Sequence, residues 1–305
     1  MNRHVLSMRD LSRGDITRAL DAAERTDLQK VMAGNGAALI FEHPSTRTRN
    51  AAEMAIFGLG GHPLTIRGEE IGIDTRESAE DVAMTLSGYH SLIGARVARH
   101  STLQRMADAI DHAGRDVPIV NLLSDFEHPS QALADLLTMR QHFGGLEGLT
   151  VSFIGDANNV ARSLAIGCLT MGAKFRLGSP VGVDFSKEDH EQFAKVGGEV
   201  IVFHDPVAAA TDADVLYSDV WVSMGEEREA QAKRAAFLEF TIDDALLSRA
   251  STRAVVMHCL PAHRGEEVSA SVIDGPRSLT WPQAINRMHS MRGLIFTMLT
   301  KARGS

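Results

Sequence analysis

Short apolar runs that alternate with helical periods, twice over, leave this chain few folds to adopt. Ala37-Ala38-Leu39-Ile40-Phe41 reads as a buried strand, and residues 62–66, 91–97 and 118–122 repeat the pattern. Helix signals fill the intervals. Ser12 caps a helix predicted to run to about Leu28, with Ile16 and Leu20 on one face. Ser78 caps one carrying Val82, Leu86 and Tyr89, and Ser101 caps another. Residues 67–77 are polar and read as a loop. The alternation starts afresh at residues 150–155 and continues through 174–177, 199–203, 215–218 and 254–257. The expected class is therefore α/β, two doubly wound domains each with a parallel sheet. A helix over 129–143, stopped by Gly144-Gly145, sets the boundary. Residues 1–144 are assigned to the first domain and 145–281 to the second, with a C-terminal helix, about 282–305, packing back onto the first. At 305 residues the chain can bury both cores.

The most informative local stretch is Ser45-Thr46-Arg47-Thr48-Arg49. It joins the strand at 37–41 to a helix ending at Gly58, with a turn at His43-Pro44 between. A helix start has N–H groups without intrahelical acceptors and the positive end of the helix dipole, so it favours an anion. Ser45 and Thr46 add hydroxyls and Arg47 a guanidinium, enough to cradle a phosphate. Arg49 is about 200° further round the helix than Arg47 and is placed to pair with Glu53.

Ligands of parallel α/β sheets sit beyond the carboxyl ends of strands. Arg96 ends one predicted strand and His128 follows another, with Pro129 suited to a first helical position and Gln131 one turn along. Asn158 and Asn159, Asp219 and Cys259 follow strands of the second domain in the same way. That convergence predicts one cleft between the two domains. Gly155-Asp156-Ala157-Asn158-Asn159-Val160 stands where a dinucleotide fold has its first turn but lacks the further glycines, so no nicotinamide cofactor is expected. His258, Cys259 and His263 are conceivable zinc ligands. Structural zinc takes four, and Cys168 lies in an apolar helix far along the chain, so no metal is expected either.

Together these strings resemble the aspartate/ornithine carbamoyltransferase family, and most closely its ornithine branch. Residues 41–49 are similar to the family's carbamoyl-phosphate signature. His128-Pro129-Ser130-Gln131, Asn158-Asn159, the loop Asp219-Val220-Trp221-Val222-Ser223-Met224-Gly225, the string from His258 to Gly265, and Asn286-Arg287-Met288-His289 follow in the family's order. The resemblance implies transfer of a carbamoyl group from carbamoyl phosphate to the δ-amine of L-ornithine, without a cofactor. It places the phosphate on Ser45, Thr46, Arg47, Thr48 and Gln131, and the carbonyl oxygen on Thr48, Arg96 and His128. Cys259 faces the amine, and Cys259, Leu260 and Arg287 complete the carbamoyl-phosphate site. Asn159 and Asp219 take the amino acid's α-groups, with Ser223 and Met224 holding its end. Another acceptor (an acylated ornithine, putrescine or aspartate) and a non-catalytic anion-binding paralogue are the alternatives.

The family's trimers are completed by a loop from the next subunit carrying a glutamine. Here residues 67–77 hold Arg67 and Arg76 but no Gln. The resemblance thus implies a homotrimer in which Arg76 is the candidate substitute. A net charge of −8 argues against nucleic acid. No apolar run reaches membrane-spanning length, no signal peptide is recognisable, and two cysteines give no disulfide framework, so a cytoplasmic setting is expected.

Overall fold

The first sheet is built on residues that can be buried on both faces. In the computed structural model, which describes residues 3–222 and 230–301, strand β1 (Gly36–Phe41) is buried along nearly its whole length. It pairs in parallel with β2 (His62–Arg67) on one side and β3 (Leu92–Arg96) on the other, and β3 pairs with β4 (Ile119–Leu123). The order is β2-β1-β3-β4. Ala38, Ile40, Ile93 and Ala95 point to one face, where Val82, Leu86, Leu103, Met106 and Ile110 from helices Ala79–Leu86 and His100–His112 join their cluster. Edge strand β2 opens with His62-Pro63, a position that tolerates a residue without an N–H. The N-terminal segment covers the other edge: the Asn121 N–H donates to the Val5 carbonyl at 2.8 Å and the Val5 N–H to that of Ile119 at 2.9 Å.

The second sheet contains β5 (Thr150–Ile154), β6 (Lys174–Gly178), β7 (Val200–Phe203), β8 (Val215–Ser218) and β9 (Val255–His258), all parallel, in the order β7-β6-β5-β8-β9. Its core gathers Ile154, Leu216 and Val256 with Trp221, Phe237, Phe240 and Leu246. The chain forms two compact units, Met1–Leu137 with Ile285–Ser305, and Thr138–Ala284. No helix among the described residues is long and apolar enough to cross a membrane.

Several elements differ from the sequence expectation. The first helix spans Arg13–Glu24 and stops short of Leu28, because Arg25 turns extended and its guanidinium pairs with Asp27 at 2.9 Å. Tyr89 lies beyond the end of helix Ala79–Leu86 and is exposed. Ser101 is not a cap. The helix begins at His100, whose N–H donates to the Asp125 carboxylate at 2.7 Å, so a residue distant in sequence does the capping. Within residues 67–77, Gly68–Ile71 forms a helical turn ended by Gly72 at φ 61°. Beyond that turn Arg105 ties the chain down, holding Asp74 at 2.8 and 2.9 Å and Glu80 at 2.7 Å. Its hydrogen bond brings the Glu80 carboxyl down to about 2.

Helix Thr280–Lys301 meets helix Arg13–Glu24 at a point that only glycine allows. A Cβ on Gly293 would overlap the Ala19 carbonyl oxygen and lie 2.7 Å from the Ala23 nitrogen, both rigid backbone. Gly293→Ala is therefore expected to destabilise the fold by about 1–3 kcal/mol despite alanine's better helix propensity. Chemical denaturation would measure it, and a stability equal to wild type would show that the two helices can separate freely.

Candidate active site

Each sheet reverses its strand order once, where an open parallel sheet leaves a crevice for ligands, and Ser45–Thr48, Arg96, Asn158, Asn159 and Asp219 follow or end the strands that flank those two reversals. In the first unit the reversal falls between β1 and β3. Ser45–Thr48 follow β1 and Arg96 closes β3. The backbone around them is tied: the Glu42 N–H donates to the Arg96 carbonyl at 3.0 Å, and the Glu42 carboxylate accepts the Ala98 N–H at 2.6 Å. Ser45 caps helix Thr46–Gly58, its Oγ accepting the Thr48 N–H at 3.3 Å, which leaves its own hydrogen available to an incoming oxygen. Thr46 is exposed, Arg47 half-buried and Thr48 buried. Arg49 turns away and pairs with Glu53 at 2.9 Å, as its helical position dictates. Burial pushes the Glu53 carboxyl up, but hydrogen bonds from Thr65 and Arg49 outweigh it and hold it below its ordinary value.

Three buried side chains then meet around one guanidinium. Arg287, on helix Thr280–Lys301, donates from Nη2 to Thr48 Oγ1 and from Nη1 to Gln131 Oε1, both at 2.7 Å, and its Nη2 lies 3.5 Å from His128 Nε2. Gln131 is oriented in turn by Asp135, which accepts its Nε2 at 2.8 Å. Arg96 is 6% exposed, and its Nε has no hydrogen-bond partner. Burial, then the charge of Arg47, lowers its pKa from the ordinary arginine value. Burial, then Arg287 and Arg96, pushes His128 well below the usual histidine range, so the imidazole is neutral. Buried guanidiniums that repel one another and keep an unmatched N–H are arranged for an anion with several acceptor oxygens.

In the second unit the reversal falls between β5 and β8. Asn158 caps helix Asn159–Thr170: its Oδ1 accepts the Val160 and Ala161 N–H groups at 3.0 Å, and its Nδ2 donates to Asp219 Oδ2 at 3.0 Å. Asn158 is thus committed to the scaffold, while Asn159 stands half-buried at the first helical position. Asp219, 8% exposed, follows β8. Its Oδ1 accepts the Val220 N–H at 2.8 Å and the Cys259 thiol at 2.9 Å. Ser223 and Met224 lie outside the described residues.

The turn after β9 is held from below. The Leu260 N–H donates to His258 Nδ1 at 2.9 Å, so the imidazole hydrogen sits on Nε2, which faces Glu267 Oε1 at 3.1 Å. Leu260 has φ 61°, a left-handed conformation that a branched side chain adopts only under constraint, here next to Cys259. Burial raises the Glu267 carboxyl, but hydrogen bonds from His258 and from the His263 N–H, at 2.6 Å, bring it below its ordinary value.

Comparison with known proteins identifies the family. Residues 3–141 match the family model described as aspartate/ornithine carbamoyltransferase, carbamoyl-P binding domain, and residues 147–298 match its Asp/Orn binding domain. The chain belongs to the aspartate/ornithine carbamoyltransferase family. An ornithine carbamoyltransferase of Acidothermus cellulolyticus is 42% identical over 100% of this chain and 99% of its own length, and one of Bacillus subtilis 40% identical over 99% and 96%. The solved ornithine carbamoyltransferase of Pyrococcus furiosus superposes with a TM-score of 0.89 at 38% identity, covering 96% of this chain and 95% of that one.

Within this family member, sequence reasoning missed Glu267. The string Arg264-Gly265-Glu266-Glu267 has the look of a solvated loop, and nothing local marks one of its two glutamates as fully buried. Arg76 is exposed and donates from Nη1 to the Glu70 carbonyl of its own loop at 3.1 Å. Arg67 pairs with Glu69 at 3.7 Å.

Four histidines, His128 buried and the others half-buried, make the fold sensitive to acid. Burial holds His90, His100 and His289, as well as His128, below the ordinary value. A depressed histidine takes its proton first in the unfolded chain, so the stability is present above about pH 6.5 and is lost as pH falls below it. Tm is expected to drop between pH 7 and 5. His128→Asn should flatten the fall, by up to about 1.4 kcal/mol per pH unit. An unchanged slope would mean that His128 takes up its proton without unfolding.

Proposed function

We propose that this chain transfers the carbamoyl group of carbamoyl phosphate to the δ-amine of L-ornithine, giving L-citrulline and phosphate. The observation that carries the reading is Arg96, buried with an unmatched Nε, beside the network of Thr48, Arg287, Gln131 and His128 in a member of this family. Ser45, Thr46, Arg47, Thr48, Gln131 and Arg287 fix the phosphate. Thr48, Arg96 and neutral His128 face the carbonyl oxygen and stabilise the oxyanion of the tetrahedral intermediate. Asp219 and Asn159 take the α-ammonium and α-carboxylate of ornithine, Ser223 and Met224 its end, and Cys259, hydrogen-bonded to Asp219, adjoins the δ-amine. Cys259 and the Leu260 backbone also complete the carbamoyl-phosphate site. The amine nitrogen attacks the carbonyl carbon, the bond from that carbon to the phosphate oxygen breaks, and the leaving phosphate accepts the amine proton. No covalent enzyme intermediate and no cofactor is needed. Holding the reactants in contact supplies much of the remaining rate.

The carboxylate of Asp219 favours a free α-ammonium over an acylated one. Citrulline formation measured against carbamoylation of N-acetylornithine, putrescine and aspartate as rival acceptors tests the reading. Ornithine is expected to show the highest kcat/KM, and a better rate with any rival overturns it. The reaction is placed in the cytoplasm and in arginine metabolism.

We also propose that the working form is a homotrimer. Met54 and Phe57, one turn apart on helix Thr46–Gly58, are 50% and 65% exposed, and Leu64 on edge strand β2 is 43% exposed, an apolar surface that supports subunit contact. Arg76 then reaches the neighbour's phosphate in place of the family's glutamine, adding a full charge to the same hydrogen bond. Arg76→Ala and Arg47→Ala, each inactive alone, are expected to regain activity when reassembled as mixed trimers. A fully active Arg76→Ala, or dead hybrids from variants that still form trimers, would remove Arg76 from the site.

A further inference from the structure

We propose that His263, Glu266 and Glu267 form a binding site for one divalent transition-metal ion of the zinc class, distinct from the residues assigned to the two substrates. His263 Nδ1 lies 3.9 Å from Glu266 Oε2 and 4.0 Å from Glu267 Oε2. One ligand atom from each residue falls within 4.8 Å of the others. An imidazole nitrogen with two carboxylate oxygens suits zinc, cobalt or nickel better than magnesium or calcium, which prefer oxygen alone. Zinc bonds of about 2.0–2.2 Å at tetrahedral angles set ligand atoms about 3.4 Å apart, so the two separations from His263 Nδ1 close by about half an ångström, and the two carboxylate oxygens, within 4.8 Å of each other, draw together as well. The His263 side chain is 47% exposed and can turn to make that shift, whereas Glu266, 36% exposed, must loosen its pairing with Arg234 to do so.

The second observation is Glu267 itself. Its side chain is 0% exposed. Oε1 accepts from His258 Nε2 and from the His263 N–H, but Oε2 has no hydrogen-bond partner. A buried carboxylate oxygen left without a donor carries its full desolvation penalty. This one is turned toward His263 Nδ1, and an ion bound there would satisfy it. Arg234 donates at 2.9 Å to Glu266 Oε2, the same oxygen that faces His263, so an ion takes Glu266 by displacing that guanidinium or through Oε1. The sequence offered a different trio, with Cys259. The structure instead turns the Cys259 thiol to Asp219 and His258 to Glu267, so neither is available to an ion beside His263.

The site is independent of the carbamoyl-transfer reading, and its test reads binding alone. The full chain, stripped of metal, is titrated with Zn²⁺ by calorimetry and with Co²⁺ by visible absorption. Expected are one ion per chain, a weakening of at least about tenfold in each of His263→Ala and Glu266→Gln, and no change in Cys259→Ser. The Co²⁺ complex should lack a thiolate charge-transfer band. Both test positions are solvent-accessible, so thermal unfolding of the metal-free variants should match wild type. Absence of binding at about 100 µM Zn²⁺, a weakening below about tenfold in either variant, or a loss in Cys259→Ser would overturn the site.

Discussion

Arg96→Ala is expected to lower kcat by at least about 100-fold while leaving the fold as stable as wild type. The two halves of that result have one cause. Arg96 closes β3 with its side chain buried, its Nε unmatched and its charge opposed by Arg47. In the free protein such a guanidinium contributes little to stability, and its removal relieves repulsion that offsets the cavity left behind. In the proposed reaction it would meet the negative charge that develops on the carbonyl oxygen, an interaction made most strongly in the transition state. Steady-state kinetics with thermal unfolding would check both. Phosphate, as a ligand of the proposed site, should raise the Tm of wild type more than that of the variant. A raised KM for carbamoyl phosphate with kcat intact would place Arg96 in ground-state binding instead.

Asp219→Asn is expected to lower kcat/KM for ornithine by at least about 100-fold and to leave carbamoyl-phosphate binding unchanged. Loss of a buried charge from a hydrogen-bonded pair typically costs about 2–5 kcal/mol. Asp219 is an acceptor on every side, taking the Asn158 amide, the Val220 N–H and the Cys259 thiol. Asparagine must turn an NH₂ toward one of these donors, so the variant loses both charge and geometry. Initial rates against ornithine, with the Tm shift given by carbamoyl phosphate, separate the effects. Equal losses for both substrates would mean that Asp219 supports the fold of the second unit and has no direct part in holding the amino acid.

Much of this was legible in the sequence, because strand–helix alternation is a local pattern and cap residues act within one turn. Residues 37–41 and 150–154 could be recognised as strands buried on both faces, and Ser45 and Ser78 as caps, from neighbours alone. The pairing of Arg49 with Glu53 followed from helical spacing. In two places where the local reading failed, the deciding partner was distant in sequence. His100 is capped by Asp125, and Asp74 and Glu80 are held by Arg105.

What the sequence by itself determined was the class of fold, the strand ends on which the candidate groups lie, and, through whole strings of residues, the family. Only the tertiary structure decided which groups touch. Arg287 reaches Thr48 and Gln131 across 239 and 156 residues of chain, Asn158 rather than Asn159 serves as the helix cap, and Glu267 rather than Glu266 is buried. The physical reason is that a hydrogen bond or a desolvated charge depends on which atoms packing brings within about 3 Å. Burial of the apolar faces settles that, and the burial is a property of the whole unit, not of any window of sequence.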